Sequence, residues 1–275
     1  MKNRKAEKLR NEFDKGFHEG FTLTDILKRQ WRLGNLIGRG GFGNVYTVFP
    51  CDSSQVSEYK ISDFSAKIEP HSNGPLFTEV AFYQRVATQE KISNWCSKKG
   101  LKFLGIPPYL STGCDKTNKP HRFIILARLG LNVENIWQEM NKNFSTSTIY
   151  QIGYRLLECL EYIHQFGYSH GDIKTSNLMT GYNDDLTNCR IYLMDFGLAC
   201  SFMNKSIHKQ YKEDPKRRHD GTIEYTSLDA HNGVAVSRRG DLVNLGFVIL
   251  HLLQGDLPWI SLISDKEKVL FEKSM

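Results

Sequence analysis

Tyr168-Ser169-His170-Gly171-Asp172-Ile173-Lys174-Thr175-Ser176-Asn177-Leu178-Met179 is the stretch on which the reading of this 275-residue chain turns. It sets a carboxylate, a lysine two residues on and an amide five residues on in one loop. An amphipathic helix precedes the loop, because Ile149, Ile152, Leu156, Leu157, Leu160 and Ile163 recur at helical spacing, with Ser145 or Ser147 placed to cap it. Downstream, Met194-Asp195-Phe196-Gly197-Leu198-Ala199 puts a second carboxylate at a strand end and a glycine where the chain can turn sharply. Hard oxygens of this kind suit magnesium shared with substrate phosphates, and Asn177 and Asp195 can supply them. Asp172 can accept a hydroxyl proton, while Lys174 and Lys67 offset phosphate charge.

Upstream, Ile37-Gly38-Arg39-Gly40-Gly41-Phe42-Gly43-Asn44-Val45 contains G-x-G-x-x-G. A dinucleotide fold needs a helix after these glycines, whereas Val45-Tyr46-Thr47-Val48 is β-branched and aromatic, so strand follows strand. A glycine hairpin lets backbone N–H groups approach phosphate oxygens; a plain turn is the other reading, and the motif alone does not separate the two. Lys67 stands in an apolar strand, where a buried ammonium needs an anion, and Glu79 at the start of a helix is a suitable one. A surface lysine snorkelling from an edge strand is the alternative.

Around these motifs the pattern predicts strands at 31–37, 44–49, 64–68, 109–113 and 122–126, a polar loop at 51–63 and a helix at 79–92. Beyond Gly130 the chain turns helical, with short strands at 178–179 and 191–194. A final apolar helix runs from near Asp241 to Gly255. Strands first and helices afterwards give an α+β fold of two lobes hinged at 127–130. The expected divisions are a charged, loosely docked arm over 1–30, a first lobe over 31–126 and a second over 127–275.

Lys and Arg number 36 against 30 Asp and Glu, a net charge of +6 that is too mild to name nucleic acid. No helix clusters basic residues with aromatic or amide readers, so direct nucleic-acid binding is not expected. The six cysteines lack the close pairs of a zinc site, which predicts reduced thiols in a cytosolic or nuclear protein. No apolar run approaches the roughly 20 residues of a membrane span. The opening MKNRKAEKLR is basic without the apolar stretch of a secretory signal.

The glycine motif, the strand lysine, the helix glutamate, H-x-D-x-K-x-x-x-N and D-F-G stand in one chain order, and in this the sequence resembles eukaryotic protein kinases. More narrowly it resembles the vaccinia-related kinases of the casein-kinase-like group. That likeness is carried by Asn73-Gly74-Pro75-Leu76-Phe77-Thr78-Glu79, by the 168–174 stretch and by Tyr211-Lys212-Glu213-Asp214-Pro215-Lys216-Arg217. His219-Asp220-Gly221-Thr222-Ile223-Glu224-Tyr225 and Ser237-Arg238-Arg239-Gly240-Asp241-Leu242 complete it, and the whole spans roughly residues 22–259.

The resemblance implies a serine/threonine protein kinase using ATP and Mg2+ on protein substrates. Asp172 would be the catalytic base, Lys174 would steady the transferred phosphoryl group, Lys67 would hold phosphates while paired to Glu79, and Thr222 would reach Asp172 and Lys174. Asn177 and Asp195 would hold magnesium. Ile37, Gly38, Gly40, Gly41, Gly43 and Val45 would cover the nucleotide. Ala66, Leu126, Arg128, Leu129 and Met179 would line the adenine site. His170 and Phe196 would stack, with Tyr83 above them. Gly171 stands where such kinases carry an arginine that meets an activation-loop phosphate, so activity is expected not to depend on phosphorylation there.

Residues 205–218 carry six Lys/Arg against two acids, which makes acidic or phosphorylated substrates a candidate preference beside a plain solvated loop. Nuclear or chromatin substrates, a nuclear or cytoplasmic location and a monomer are further expectations. Ser227-Leu228-Asp229 replaces the usual A-P-E, and the chain stops 34 residues after Asp241. The expectation is that the last helices of the second lobe are missing, that Asp229 lacks its arginine and that the helix from Leu242 exposes one face. A catalytically impaired, kinase-like ATP-binding scaffold is therefore the alternative reading.

Overall fold

In the computed structural model, alternating apolar residues on short strands build the first of two units, made of residues up to 89 together with 107–128. The structure describes residues 16–40, 43–52, 64–116, 120–182, 190–204, 207–210 and 212–275. Gly41, Cys189, Lys205, Ser206, Tyr211, most of the 51–63 loop and the first 15 residues of the leader lie outside them.

Strands β1 (Thr22–Thr24), β2 (Gln30–Arg39), β3 (Asn44–Pro50), β4 (Phe64–Pro70), β5 (Tyr109–Asp115) and β6 (His121–Ala127) make one antiparallel sheet in the order β1-β2-β3-β4-β6-β5. Trp31, Leu33, Tyr46, Phe64, Ala66 and Ile125 meet on its apolar face.

The leader departs from expectation. Phe17 and Leu23 are buried in this core, and β1 pairs with β2, so the described part of 16–30 belongs to the sheet. Asp25 fastens it, its carboxylate accepting from Leu27 N, Arg29 N, Arg29 Nε and Trp31 Nε1.

Helix α1 (Pro75–Arg85) starts four residues before the predicted Glu79, with Pro75 in its first turn, where a missing N–H costs nothing. The expected helix over 79–92 is in fact two. The chain leaves α1 at Val86 and Ala87, both buried, and resumes as α2 (Gln89–Lys99), most of which lies in the second unit. β-Branched Val86 and Thr88 flank the break and disfavour helical continuity.

The second unit comprises 90–106 and 129–275, so 90–106 leaves the expected 31–126 lobe. After β7 (Leu129–Asn132) and α3 (Val133–Glu139) comes α4 (Thr146–Gln165), which buries Ile149, Ile152, Leu156, Leu160 and Ile163 of the predicted stripe and leaves Leu157 exposed. Ser145, not Ser147, caps it, Oγ accepting from Thr148 N at 3.1 Å. Strand β8 (Tyr168–Ser169) leads into the quoted loop. β9 (Leu178–Gly181) pairs with β7 and with β10 (Ile191–Leu193), and β11 (Cys200–Ser201) with β8. The hairpin β12 (Met203–Asn204) and β13 (Ile207–His208) follows, then α5 (Leu228–His231).

Helix α6 (Arg238–Gln254) begins three residues before the predicted Asp241, because Ser237 caps it by accepting from Gly240 N. Gly255 ends it at φ +94°. It is not the last helix: α7 (Lys266–Ser274) packs against α5. Leu242 and Leu253 on α6 are exposed.

Candidate active site

In the first unit, Lys67 is fixed by strand geometry. Side chains alternate across a strand, and directly paired residues share a face. Lys67 pairs with Val45 and Ile124, and Val45 also pairs with Gly38, so Gly38, Val45 and Lys67 occupy one face of the sheet. Leu126 pairs with Ser65, two residues from Lys67, and joins that face.

Ala66 does not. It points into the apolar core with Tyr46 and Ile125, fully buried, on the side opposite Lys67. The expectation of an adenine contact at Ala66 is therefore corrected: the parity of the strand turns Ala66 into the core and puts Ser65 on the face of Lys67. Gly43 makes a close approach, since a Cβ there would lie 2.2 Å from Ile68 O. Gly40 N donates to Gly43 O at 2.8 Å, closing the glycine turn; Ile37 is exposed and Arg128 half-buried at the unit's last residue.

Lys67 Nζ lies 2.7 Å from Glu79 Oε2, with the carboxylate fully buried and the lysine side chain 15% exposed. Glu69 Oε1 lies 3.7 Å from the same ammonium, and Glu69 Oε2 accepts from Leu76 N near the start of α1. Sequence reasoning missed Glu69, whose signal was an acid two residues from Lys67 on the same strand face. Two buried carboxylates around one ammonium make a strongly anchored cation, since removing either sign would leave the other buried and uncompensated.

In the second unit, the residues of the 168–179 stretch converge. Asp172 Oδ1 accepts from Thr222 N (3.0 Å) and Thr222 Oγ1 (2.7 Å). Asp172 Oδ2 lies 2.8 Å from Lys174 Nζ, and that ammonium donates to Thr222 Oγ1 at 2.9 Å. Asn177 Nδ2 donates to Asp172 O at 2.9 Å, which leaves Oδ1 as the amide atom suited to a cation. Met194 N donates to Asn177 O, tying the loop to the strand that ends at Asp195. Asp195 has φ +63°, a left-handed conformation that is uncommon for a residue other than glycine, with Oδ1 accepting from Gly197 N. Leu129 and Met179 sit on β7 and β9 of the same small sheet.

His170 fixes the loop's shape. Its Nδ1 accepts from Asp172 N, so Nε2 carries the proton donated to Met194 O at 3.0 Å. Phe196 meets the imidazole edge-on at 4.9 Å. Tyr83 belongs to the first unit, stacked on Tyr109. Beneath the loop, fully buried Asp241 accepts from His170 N, Gly171 N and His164 Nε2. This anchor was read only as a helix start; an acid in the first turn of an otherwise apolar helix was the available signal. Gly171 adopts φ +84°, and a Cβ there would lie 3.2 Å from Leu198 O and from Val236, so any other residue is strained there.

Asp229 is paired, contrary to expectation. Arg239 donates to it twice, Nε to Oδ2 at 2.8 Å and a terminal nitrogen to Oδ1 at 2.7 Å. The partner comes from the start of α6, ten residues away.

Among the described residues no group of three His, Cys, Asp or Glu could hold a metal by itself. An amide oxygen and one carboxylate fit magnesium that takes its other ligands from phosphates and water.

The model of the protein kinase domain matches residues 31–274. The chain is 44% identical over 260 residues to the serine/threonine-protein kinase VRK2 of Homo sapiens, across 94% of this chain and 49% of that protein. It is 36% identical over 253 residues to the B1 kinase of vaccinia virus (strain Copenhagen), across 92% and 80%. The solved structure of vaccinia related kinase 3 superposes with a TM-score of 0.83 at 29% identity, across 94% of this chain and 75% of that one. The chain thus spans about half of VRK2 and most of the viral enzyme. It belongs to the protein kinase family and, within it, to the vaccinia-related kinases.

Proposed function

We propose that the chain transfers the γ-phosphate of ATP to serine and threonine hydroxyls of proteins. The observation that carries this reading is the Asp172–Lys174–Thr222 triangle. Asp172 takes the proton from the attacking hydroxyl, while Thr222 and Lys174 hold its carboxylate in one orientation. Lys174 also stands ready to balance the charge gathering on the transferred phosphoryl oxygens. Lys67, held by Glu79, binds nucleotide phosphates. Magnesium, when bound through Asn177 and Asp195, neutralises phosphate charge. The scaffold alternative leaned on the early end of the second lobe, on an unpartnered Asp229 and on an exposed face of α6; the Arg239 fork removes the second support, while Leu242 and Leu253 are exposed as the third requires.

The test is phosphate transfer from Mg-ATP to casein by the wild-type chain, Lys67→Ala and Asp172→Asn. Transfer by the wild type and loss of at least about a hundredfold in both variants is expected; equal signal from all three would eliminate catalysis by this chain. A thermal shift with Mg-ATP reads nucleotide binding separately.

Protein substrates that are acidic or nuclear, and a nuclear or cytoplasmic location, rest on the family and on the basic run 205–218. Comparing casein with nucleosomes as acceptors, and fractionating cells that express the tagged chain, tests both. A monomer is proposed, and sedimentation tests it.

A further inference from the structure

Lys273, near the end of α7, sits where no surface lysine needs to be. Its Nζ donates to Ile223 O at 2.7 Å and to Thr226 O at 2.8 Å, and lies 3.3 Å from His231 Nε2. Phe247 and Trp259 flank the ammonium, each ring centroid 5.0 Å away. An ammonium has three hydrogens and no lone pair, so these three acceptors account for it completely.

That assignment orients everything behind it. His231 Nε2 accepts, so His231 Nδ1 carries a proton and donates to His219 Nδ1 at 2.8 Å. His219 Nε2 then donates to Glu267 Oε1 at 3.2 Å, and Glu267 Oε2 accepts from Arg218. The chain of bonds leaves α7 at Lys273 and returns to it at Glu267.

The segment it grips is the one that holds the base. Thr222 O accepts from Tyr225 N, Thr226 N and Thr226 Oγ1, which folds 222–226 into a tight turn. The outer carbonyls of that turn are taken from one side: Ile223 and Thr226 by Lys273, and Glu224 by Trp259 Nε1 at 2.8 Å. On the other side Thr222 reaches Asp172 and Lys174.

We infer that Lys273 is a positioning residue for phosphotransfer: its ammonium clamps the backbone of the 222–226 turn, keeping Thr222 on Asp172 and Lys174. The inference rests on the kinase reading for its kinetic consequence and on geometry alone for the clamp.

Two measurements on the full chain at pH 6.5 test it, comparing wild type, Lys273→Met and Lys273→Arg. Hydrogen exchange reads the clamp without catalysis. Lys273→Met should speed exchange in peptides covering 219–227 by about tenfold, leave α4 as protected as in the wild type, and Lys273→Arg should restore protection. Unchanged exchange at 219–227, or equal acceleration in α4, would overturn the clamp. In casein phosphorylation, Lys273→Met should lower kcat/KM for casein about tenfold with the KM for ATP within twofold, and Lys273→Arg should recover to within about threefold. An unaltered kcat/KM, or an ATP KM that rises in step, overturns the positioning role. A wild type that exchanges as expected yet transfers no phosphate refutes the kinase reading and leaves the clamp standing.

Discussion

Arg239 grips Asp229 through two parallel hydrogen bonds, tying the start of α6 to the first turn of α5. Its guanidinium side chain is 65% exposed, so solvent screens most of the attraction. Arg239→Ala should cost about 0.5 kcal/mol and lower Tm by about 1–2 °C, with the effect shrinking in 1 M salt. Scanning fluorimetry at two salt concentrations checks this, and an identical loss at both would show that packing, not charge, is at work.

Asp241 carries far more. It is fully buried and serves three donors, two of them backbone N–H groups of the loop that holds Asp172. Asp241→Ala should cost about 3–5 kcal/mol, as removal of a buried anion from its partners does. Asp241→Asn keeps one acceptor and should fall between. Urea denaturation gives both values, and a loss below about 1 kcal/mol for the alanine variant would contradict the anchoring role.

At Gly171 the backbone, more than the missing side chain, is decisive. Gly171→Ala places a Cβ at φ +84° and 3.2 Å from Leu198 O, which should cost about 1–2 kcal/mol. Gly171→Arg should be at least as costly and should not make activity depend on a phosphate. Denaturation curves, together with transfer assays before and after phosphatase treatment, check both statements.

The Lys273–His231 contact gives stability a defined pH dependence. Burial, with the Lys273 charge beside it, holds His231 down to about 3 from an ordinary 6.5. As pH falls from 6.5 toward 3 the unfolded chain takes up this proton and the folded chain does not, so stability is lost. Burial also lowers Lys273 to about 7 from 10.5, with Glu224 opposing. Below pH 7 the amine is charged in both states; from 7 to 10.5 only the unfolded chain keeps the proton, so stability rises. Relative to the wild type, Lys273→Met should therefore gain least, or lose most, at alkaline pH. Melting curves of both proteins at pH 6, 7.5 and 9 test the sign; a difference independent of pH would refute it.

Much of this site was legible because the chemistry is local in sequence. Asp172, Lys174 and Asn177 share one loop, and spacing alone brings them together. The strands around Lys67 were legible from β-branched and aromatic runs, but their faces were not: Ala66 was read as a nucleotide contact, and only the pairing of Tyr46, Ala66 and Ile125 shows it turned into the core. Asp241 escaped for a related reason. A buried acid is recognised by its donors, and those of Asp241 lie 70 to 77 residues away. Helix α7 buries one side chain, Val269, beside the polar contacts of Glu267 and Lys273, so periodicity could not announce it.

The docking of 16–30 bears on where this chain can be cut. Its family motif starts at Trp31, yet excision there would strip Phe17 and Leu23 from the sheet's apolar face and delete β1. The start of β2 would lose its partner at Trp31, Arg32 and Leu33, leaving Trp31 uncovered beside bare backbone groups, the kind of border along which chains adhere to one another. A minimal fragment that behaves in solution should open no later than Gly16.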